Sequence, residues 1–155
     1  MRLIGVGSEL RGDDRAGLEV ARRLAAVDPD GLEVRTCGGG AAELLDALDG
    51  ADDVLLVDAM RSGRTPGAIV ELSGAQARQA RHGQGTHDAG VADALALATA
   101  LGRAPASVRI VGIEAGTTAI GDERLSPAVE GAVTALVASL SGPARQRSPS
   151  SSIAW

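Results

Sequence analysis

Aromatic residues, lysine and cysteine are nearly or entirely missing from the sequence. It contains no lysine, phenylalanine or tyrosine, and its one aromatic residue is Trp155. The core therefore has to be built from Leu, Val, Ile and Ala, within a hydrophobic content of 45%. The single cysteine, Cys37, excludes an internal disulfide, and we interpret it as a buried, inert thiol.

The sequence also lacks a basic surface and a long apolar segment. Its net charge is −5 without acidic blocks, which argues against nucleic acid or an anionic membrane as the main partner. No stretch approaches the roughly 18 apolar residues of a membrane span, and the opening MRLIGVG is too short for a secretory signal. We therefore expect a cytoplasmic protein.

The apolar residues alternate between strand and helix patterns along the chain. Strands are predicted at residues 3–6, 32–36, 54–57, 68–72 and 108–113, and helices at 14–27, 41–48, 88–101 and 127–140. The connection over residues 60–67 is too short for a helical crossover, so the fourth strand is predicted to be antiparallel. The fold class is α/β, a three-layer α/β/α sandwich around a mostly parallel sheet of about five strands. It forms a single domain over residues 1–141, followed by a flexible tail over residues 142–155.

Acidic residues follow the predicted parallel strands where each strand ends. Asp13 and Asp14 follow the first strand, Asp58 ends the third, and Glu114 ends the last. Ligands of open α/β sheets gather at this carboxyl edge. His87 precedes a helix that should begin at the same edge, where the positive helix end favours neutral imidazole. Two carboxylates and one imidazole converging there would suit a divalent transition metal with open coordination positions.

Each of these residues also has a structural explanation. Asp13 or Asp14 is equally well explained as a cap of the first helix. Glu114 can be satisfied by the backbone of the AGTT segment that follows it, and an isolated histidine such as His87 is commonly solvated or capping. Asp58 is harder to explain structurally, because a carboxylate ending a strongly apolar central strand needs a hydrogen bond or a cation.

The stretch GVGSELRGDD, residues 5–14, raises two further hypotheses. A dinucleotide site needs G-x-G-x-x-G and an acid after the second strand, but the glycines here are wrongly spaced and RTCGGG contains no acid. The second hypothesis is a receiver-like signalling domain, which is not an enzyme. Asp13, Asp14 and Asp58 resemble the residues that form the magnesium and phosphoryl-acceptor pocket of such domains. Such domains also carry a lysine after the last strand, which this sequence lacks. The receiver-like domain stays as the alternative hypothesis.

Four segments occur in the order and spacing found in hydrogenase maturation endopeptidases: GVGSELRGDDRAGLEV, LLVDA, THDAGVADALALATALGRAPASVRIVGIE and LSPAV. The resemblance covers residues 3 to about 137. It implies a phosphorylase/hydrolase-like fold and a peptidase that removes a short C-terminal extension from the large subunit of [NiFe] hydrogenases after nickel insertion. The implied partner is the large-subunit precursor. The implied metal is nickel supplied by that substrate, with no other cofactor.

The resemblance also assigns roles to individual residues. The metal-contacting acids of the family fall on Asp14, where many relatives have glutamate, and on Asp58, and its histidine falls on His87. These three residues are the implied catalytic and nickel-contacting set, with Asp13 as a secondary candidate for orienting it. The glycine-rich turn that shapes the substrate cleft falls on Gly38, Gly39 and Gly40.

Four positions depart from the family pattern. Ser8 stands where asparagine is usual, Cys37 stands where aspartate often occurs, and IEAG lacks the proline that commonly follows the Glu or Gln. Aspartate at position 14 retracts the carboxylate by one methylene relative to glutamate. The sequence contains neither H-E-x-x-H nor G-x-S-x-G, which agrees with a protease outside the usual zinc and serine classes.

Overall fold

The computed structural model describes residues 1–79 and 88–142. The strands are β1 (Arg2–Val6), β2 (Glu33–Cys37), β3 (Asp53–Met60), β4 (Ile69–Ser73) and β5 (Ser107–Glu114). The helices are α1 (Ala16–Val27), α2 (Ala41–Leu48), α3 (Gly74–Gln79), α4 (Asp88–Ala100) and α5 (Pro127–Leu140), and a 3-10 turn at Gly12–Arg15 precedes α1.

The five strands form one mixed sheet in the order β2-β1-β3-β5-β4. Strands β1, β2, β3 and β5 run parallel, and β4 pairs with β5 in the antiparallel direction. The predicted α/β fold and the antiparallel fourth strand are therefore confirmed. The parallel strands place the loops after β1, β2, β3 and β5 together at the carboxyl edge of the sheet.

An aliphatic core covers each face of the sheet, as the composition predicts. On one face, α1 and α5 pack over Leu3, Leu55, Val57, Val111 and Ile113. On the other, α2 and α4 pack over Ile4, Val6, Val54, Leu56 and Ile110. Because strand side chains alternate between faces, Asp58 continues the set of Val54 and Leu56 and lies on the α2 and α4 side. The side chain of Asp58 is therefore on the face covered by α2 and α4, not on the face covered by α1 and α5.

Some predicted boundaries differ from the structure. Asp58 does not end β3, because pairing with β5 continues to Met60, opposite Glu114. The predicted first helix divides into the 3-10 turn and α1, and α3 forms at Gly74–Gln79, where no helix is predicted. Residues 143–155 lie outside the described part of the chain, so the domain boundary and tail stay predictions. No helix within the described residues is long and apolar enough to cross a membrane.

Candidate active site

Asp14 lies in the 3-10 turn that follows β1, and it is 1% exposed. Its carbonyl oxygen accepts a hydrogen bond from the Ser8 amide at 3.2 Å, and its amide donates to the Arg11 carbonyl at 3.1 Å. The chain therefore leaves β1, folds back on itself and buries the aspartate beside the strand end.

The start of α1 is fitted directly onto the ends of two neighbouring strands. A Cβ atom at Gly17 would overlap the carbonyl oxygens of both Val6 in β1 and Val57 in β3. Val57 immediately precedes Asp58, and the 3-10 turn itself also contacts β3. This close approach places Asp14 and Asp58 at the same carboxyl edge, as the strand-end argument predicts.

Asp58 is buried on β3, with 6% of its surface exposed. Its Oδ1 accepts a hydrogen bond from the Ala59 amide at 2.8 Å, and its opposite residue on β5 is Gly112. The Met60 side chain lies over Gly112, because a Cβ atom at Gly112 would overlap Met60 Sδ. Asp58 lies on the face of the sheet that α2 and α4 cover. The turn after β2, which leads into α2, lies at the same edge.

Cys37, at the end of β2, shares this environment. The pKa of Cys37 is raised to about 11, mainly by burial; a hydrogen bond to the Gly39 backbone lowers the pKa, and the negative charges of Glu43 and Asp58 add to the rise. At neutral pH roughly one thiol in 10⁴ would be ionised. Since the thiolate is the nucleophilic form, Cys37 is an inert thiol, as the sequence predicts. The site therefore has no cysteine nucleophile at this position.

The glycine-rich turn after β2 lies against the start of α4. The Gly38 amide donates to Oε2 of Glu43 at 2.9 Å, which fixes the turn to α2. A Cβ atom at Gly90 would overlap the Gly39 carbonyl oxygen. Helix α4 therefore begins at the carboxyl edge, near the face that carries Asp58. His87, the third predicted ligand, precedes α4 in the sequence but lies outside the described residues.

Gly90→Ala should disturb this contact, because the added methyl group must push α4 away from the Gly39 carbonyl. We expect a loss of about 1–3 kcal/mol in the free energy of unfolding, the usual cost of overpacking, together with slower substrate processing. Gly131→Ala in α5 is the matched control, since nothing lies within 4 Å of a Cβ there. That control should gain about 0.5–1 kcal/mol. Urea unfolding measures both, and equal stability of the two variants would contradict the tight contact.

Asp13 is 0% exposed, and both of its carboxylate oxygens are used within the protein. Oδ2 accepts hydrogen bonds from the amides of Gly116 and Thr117 at 2.8 and 2.9 Å, and from Ser126 Oγ at 2.9 Å. Oδ1 accepts from the Ser126 amide at 2.6 Å. The capping hypothesis for the aspartates is wrong, because α1 begins after Arg15 without a side-chain cap. Asp13 instead binds the loop between β5 and α5.

Glu114 fixes a different loop, the one between β3 and β4. Its oxygens accept from the Ser62 amide at 2.9 and 3.0 Å, from Ser62 Oγ at 2.7 Å and from the Gly63 amide at 2.9 Å. Burial opposes ionisation, but these hydrogen bonds outweigh it and hold the pKa of Glu114 below its usual value. The predicted partner, the AGTT backbone, was wrong, since the amides of Gly116 and Thr117 donate to Asp13.

The four acids at this edge therefore divide into two pairs. Asp13 and Glu114 stabilise loops through hydrogen bonds to donors far away in the sequence. Asp14 and Asp58 lie where the turn after β1 meets β3. Strand ends identified all four positions, and the family resemblance selected Asp14 and Asp58 among them. Neither predicted which loops Asp13 and Glu114 hold, because their donors lie far away in the sequence.

Comparisons with known proteins agree with this arrangement. HybD, a hydrogenase maturating endopeptidase from E. coli, is similar with a TM-score of 0.74 and 24% identity, over 90% of this chain and 88% of that chain. The [NiFe] hydrogenase maturation protease HybD from Thermococcus kodakarensis has a TM-score of 0.71 and 27% identity, over 88% and 93%. The hydrogenase expression/formation protein HupD of Rhodobacter capsulatus is 26% identical over 140 residues, covering 88% of this chain and 67% of that protein.

The family model HycI, described as hydrogenase maturation protease, matches residues 18–142. The chain thus belongs to the hydrogenase maturation protease family, and the predicted family and peptidase class are confirmed. The comparisons give no support to the receiver-like alternative. The antiparallel β4, which joins β3 through a short loop, also departs from the helical connections expected of a receiver domain.

Proposed function

We propose that this chain removes the C-terminal extension from the large-subunit precursor of a [NiFe] hydrogenase after nickel has been inserted, in the cytoplasm. The observation that carries the proposal is the burial of Asp14 and Asp58 at one edge of the sheet, in a member of the maturation protease family. A buried carboxylate is tolerated when hydrogen bonds or a cation compensate its charge. Carboxylates at this edge can also contact a cation that the substrate brings.

We further propose that Asp14, Asp58 and His87 contact the nickel of the precursor. Carboxylate oxygens and imidazole nitrogen form a donor set that suits such a divalent ion. Among residues 1–79 and 88–142, no group of three or more His, Cys, Asp or Glu side chains lies close enough to hold a metal. Three donors that include His87 leave coordination positions for ligands from the substrate. A nickel ion that arrives with the precursor would keep its substrate ligands in those positions.

The remaining residues of this edge would place the tail to be cut. The turn at Gly38, Gly39 and Gly40 adjoins both β2 and the start of α4, so its backbone can border an extended peptide without side chains in the way. Bound nickel can polarise a carbonyl oxygen or activate water. The protein would supply the fixed carboxylates, which recognise the ion and thereby reject a precursor that lacks nickel.

Intact-mass spectrometry of a purified precursor tests this function. With wild-type chain and nickel-loaded precursor, we expect a discrete mass loss from the C-terminus. With nickel-free precursor, we expect none. Equal cleavage of both precursors would contradict nickel recognition, and cleavage of neither would contradict the proposed activity. Labelling of Asp58 by a small phosphodonor with magnesium would instead support the receiver-like alternative.

A further inference from the structure

Three loops at the carboxyl edge are joined into one surface, which we call the loop ledge and define as residues 8–11, 61–66 and 116–122. The Gly121 amide donates to the Leu10 carbonyl at 2.8 Å, and the Gly12 amide donates to the Asp122 carbonyl at 2.7 Å. Arg61 NH1 donates to Thr118 Oγ1 at 3.2 Å. With Asp13 and Glu114 fixing the same loops from below, the loop ledge is a preorganised surface.

The loop ledge exposes two large apolar side chains. Leu10 is 55% exposed and Ile120 is 83% exposed, the highest value among the large exposed hydrophobic residues of the described chain. The hydrogen bond between Gly121 and Leu10 places their two loops side by side. Apolar side chains gathered beside a site and surrounded by polar residues are typical of a protein-binding surface.

The loop ledge also exposes cationic groups on an acidic protein. Arg61 and Arg64 both lie exposed in the loop between β3 and β4. Within the part of the chain that the structure describes, the ion-paired arginines include neither of them. The acidic Glu9, in contrast, is paired with Arg15 and Arg22. A chain with a net charge of −5 thus presents uncompensated positive charge beside its candidate site.

We propose that the loop ledge is the surface on which the protein substrate docks, through a segment that carries apolar side chains and carboxylates. The inference rests on the proposed function. The loop ledge borders the 3-10 turn that carries Asp14, because the Gly12 amide in that turn donates to the Asp122 carbonyl. A folded protein that brings its tail to the aspartates would therefore have this surface within reach. The two arginines complement carboxylates on that partner, and Leu10 with Ile120 supplies the apolar contact.

The apolar part is tested with the double variant Leu10→Ser/Ile120→Ser. Loss of two apolar contacts at an interface centre should raise KM for the nickel-loaded precursor by about tenfold or more. The rate at saturating precursor should stay unchanged, because neither side chain belongs to the proposed nickel-contacting set. Leu101→Ser is the matched control, since Leu101 is 51% exposed and follows the end of α4, at the opposite edge of the sheet. KM of that control should stay within about twofold of wild type.

The charged part is tested with Arg61→Ala/Arg64→Ala. This variant should associate with the precursor about tenfold more slowly at low salt and show a weaker salt dependence, because exposed charges act mainly on the association rate. Arg103→Ala is the control, since it removes only an exposed ion pair with Asp49. Arg103→Ala should leave the association rate and its salt dependence at wild-type values.

Direct binding separates docking from cleavage. Calorimetric titration of nickel-loaded precursor should give a weaker Kd for both loop-ledge variants than for wild type and the two controls. If wild type binds the precursor but does not cleave it, the proposed function is wrong. A weaker Kd of the loop-ledge variants would still support the docking surface. If the loop-ledge variants bind and cleave as wild type does, or if wild type does not bind, the docking surface is overturned.

Discussion

Asp58→Asn should fold normally and lose processing of nickel-loaded precursor by roughly a hundredfold or more, the scale seen when one electrostatic contact to a reacting group is removed. Asparagine has the shape of aspartate but no charge, so it fills the same buried space on β3 while contacting a cation much more weakly. The rate is measured by mass spectrometry under single-turnover conditions, and the Tm of the variant establishes that it is folded. Asp14→Asn and His87→Ala should show losses of the same order.

The control for the Asp58 prediction is Asp49→Asn, which removes an exposed carboxylate paired with Arg103. It should process precursor at the wild-type rate, since exposed ion pairs contribute little. The proposed site would be wrong if Asp14→Ala, Asp58→Ala and His87→Ala all retained normal processing. A loss confined to one of the three would instead assign recognition to that residue alone.

The strand and helix pattern was predictable because the apolar residues of the core recur at strand or helix spacing along the chain. The run Val54–Val57 predicts a central strand, and the short connection after it predicts that β4 is antiparallel. The exact end of β3 could not be predicted, because it depends on pairing with β5, which lies some fifty residues further along. A pairing partner so distant leaves no trace in the local pattern around Asp58.

The functional edge was predictable only in part, for a similar reason. Strand ends locate Asp13, Asp14, Asp58 and Glu114, but the donors to Asp13 lie at residues 116, 117 and 126. The donors to Glu114 lie at Ser62 and Gly63. The sequence predicts that Glu114 accepts hydrogen bonds from the backbone that directly follows it. In the structure, the amides of Gly116 and Thr117 donate to Asp13 instead. Tertiary contacts therefore decide which loop each of these two carboxylates holds.

Asp13→Ala should strongly destabilise the protein. It leaves the amides of Gly116, Thr117 and Ser126, and the Ser126 hydroxyl, without their acceptor. Removing one partner of a buried charged network costs about 3–5 kcal/mol. For a chain of this size, the Tm should fall by roughly 10 °C. Processing should also slow, because the loop after β5 would no longer be held against the turn that carries Asp14.

Two further variants determine whether the carboxylate of Asp13 acts through these hydrogen bonds. Asp13→Asn keeps one oxygen acceptor, so its loss of unfolding free energy should be intermediate, whereas Asp49→Ala removes an exposed carboxylate and should cost no more than about 1 kcal/mol. Denaturant unfolding measures all three. Asp13→Ala with wild-type stability would contradict a structural role for the carboxylate. Wild-type stability with processing lost would instead group Asp13 with Asp14 and Asp58, the proposed nickel-contacting residues.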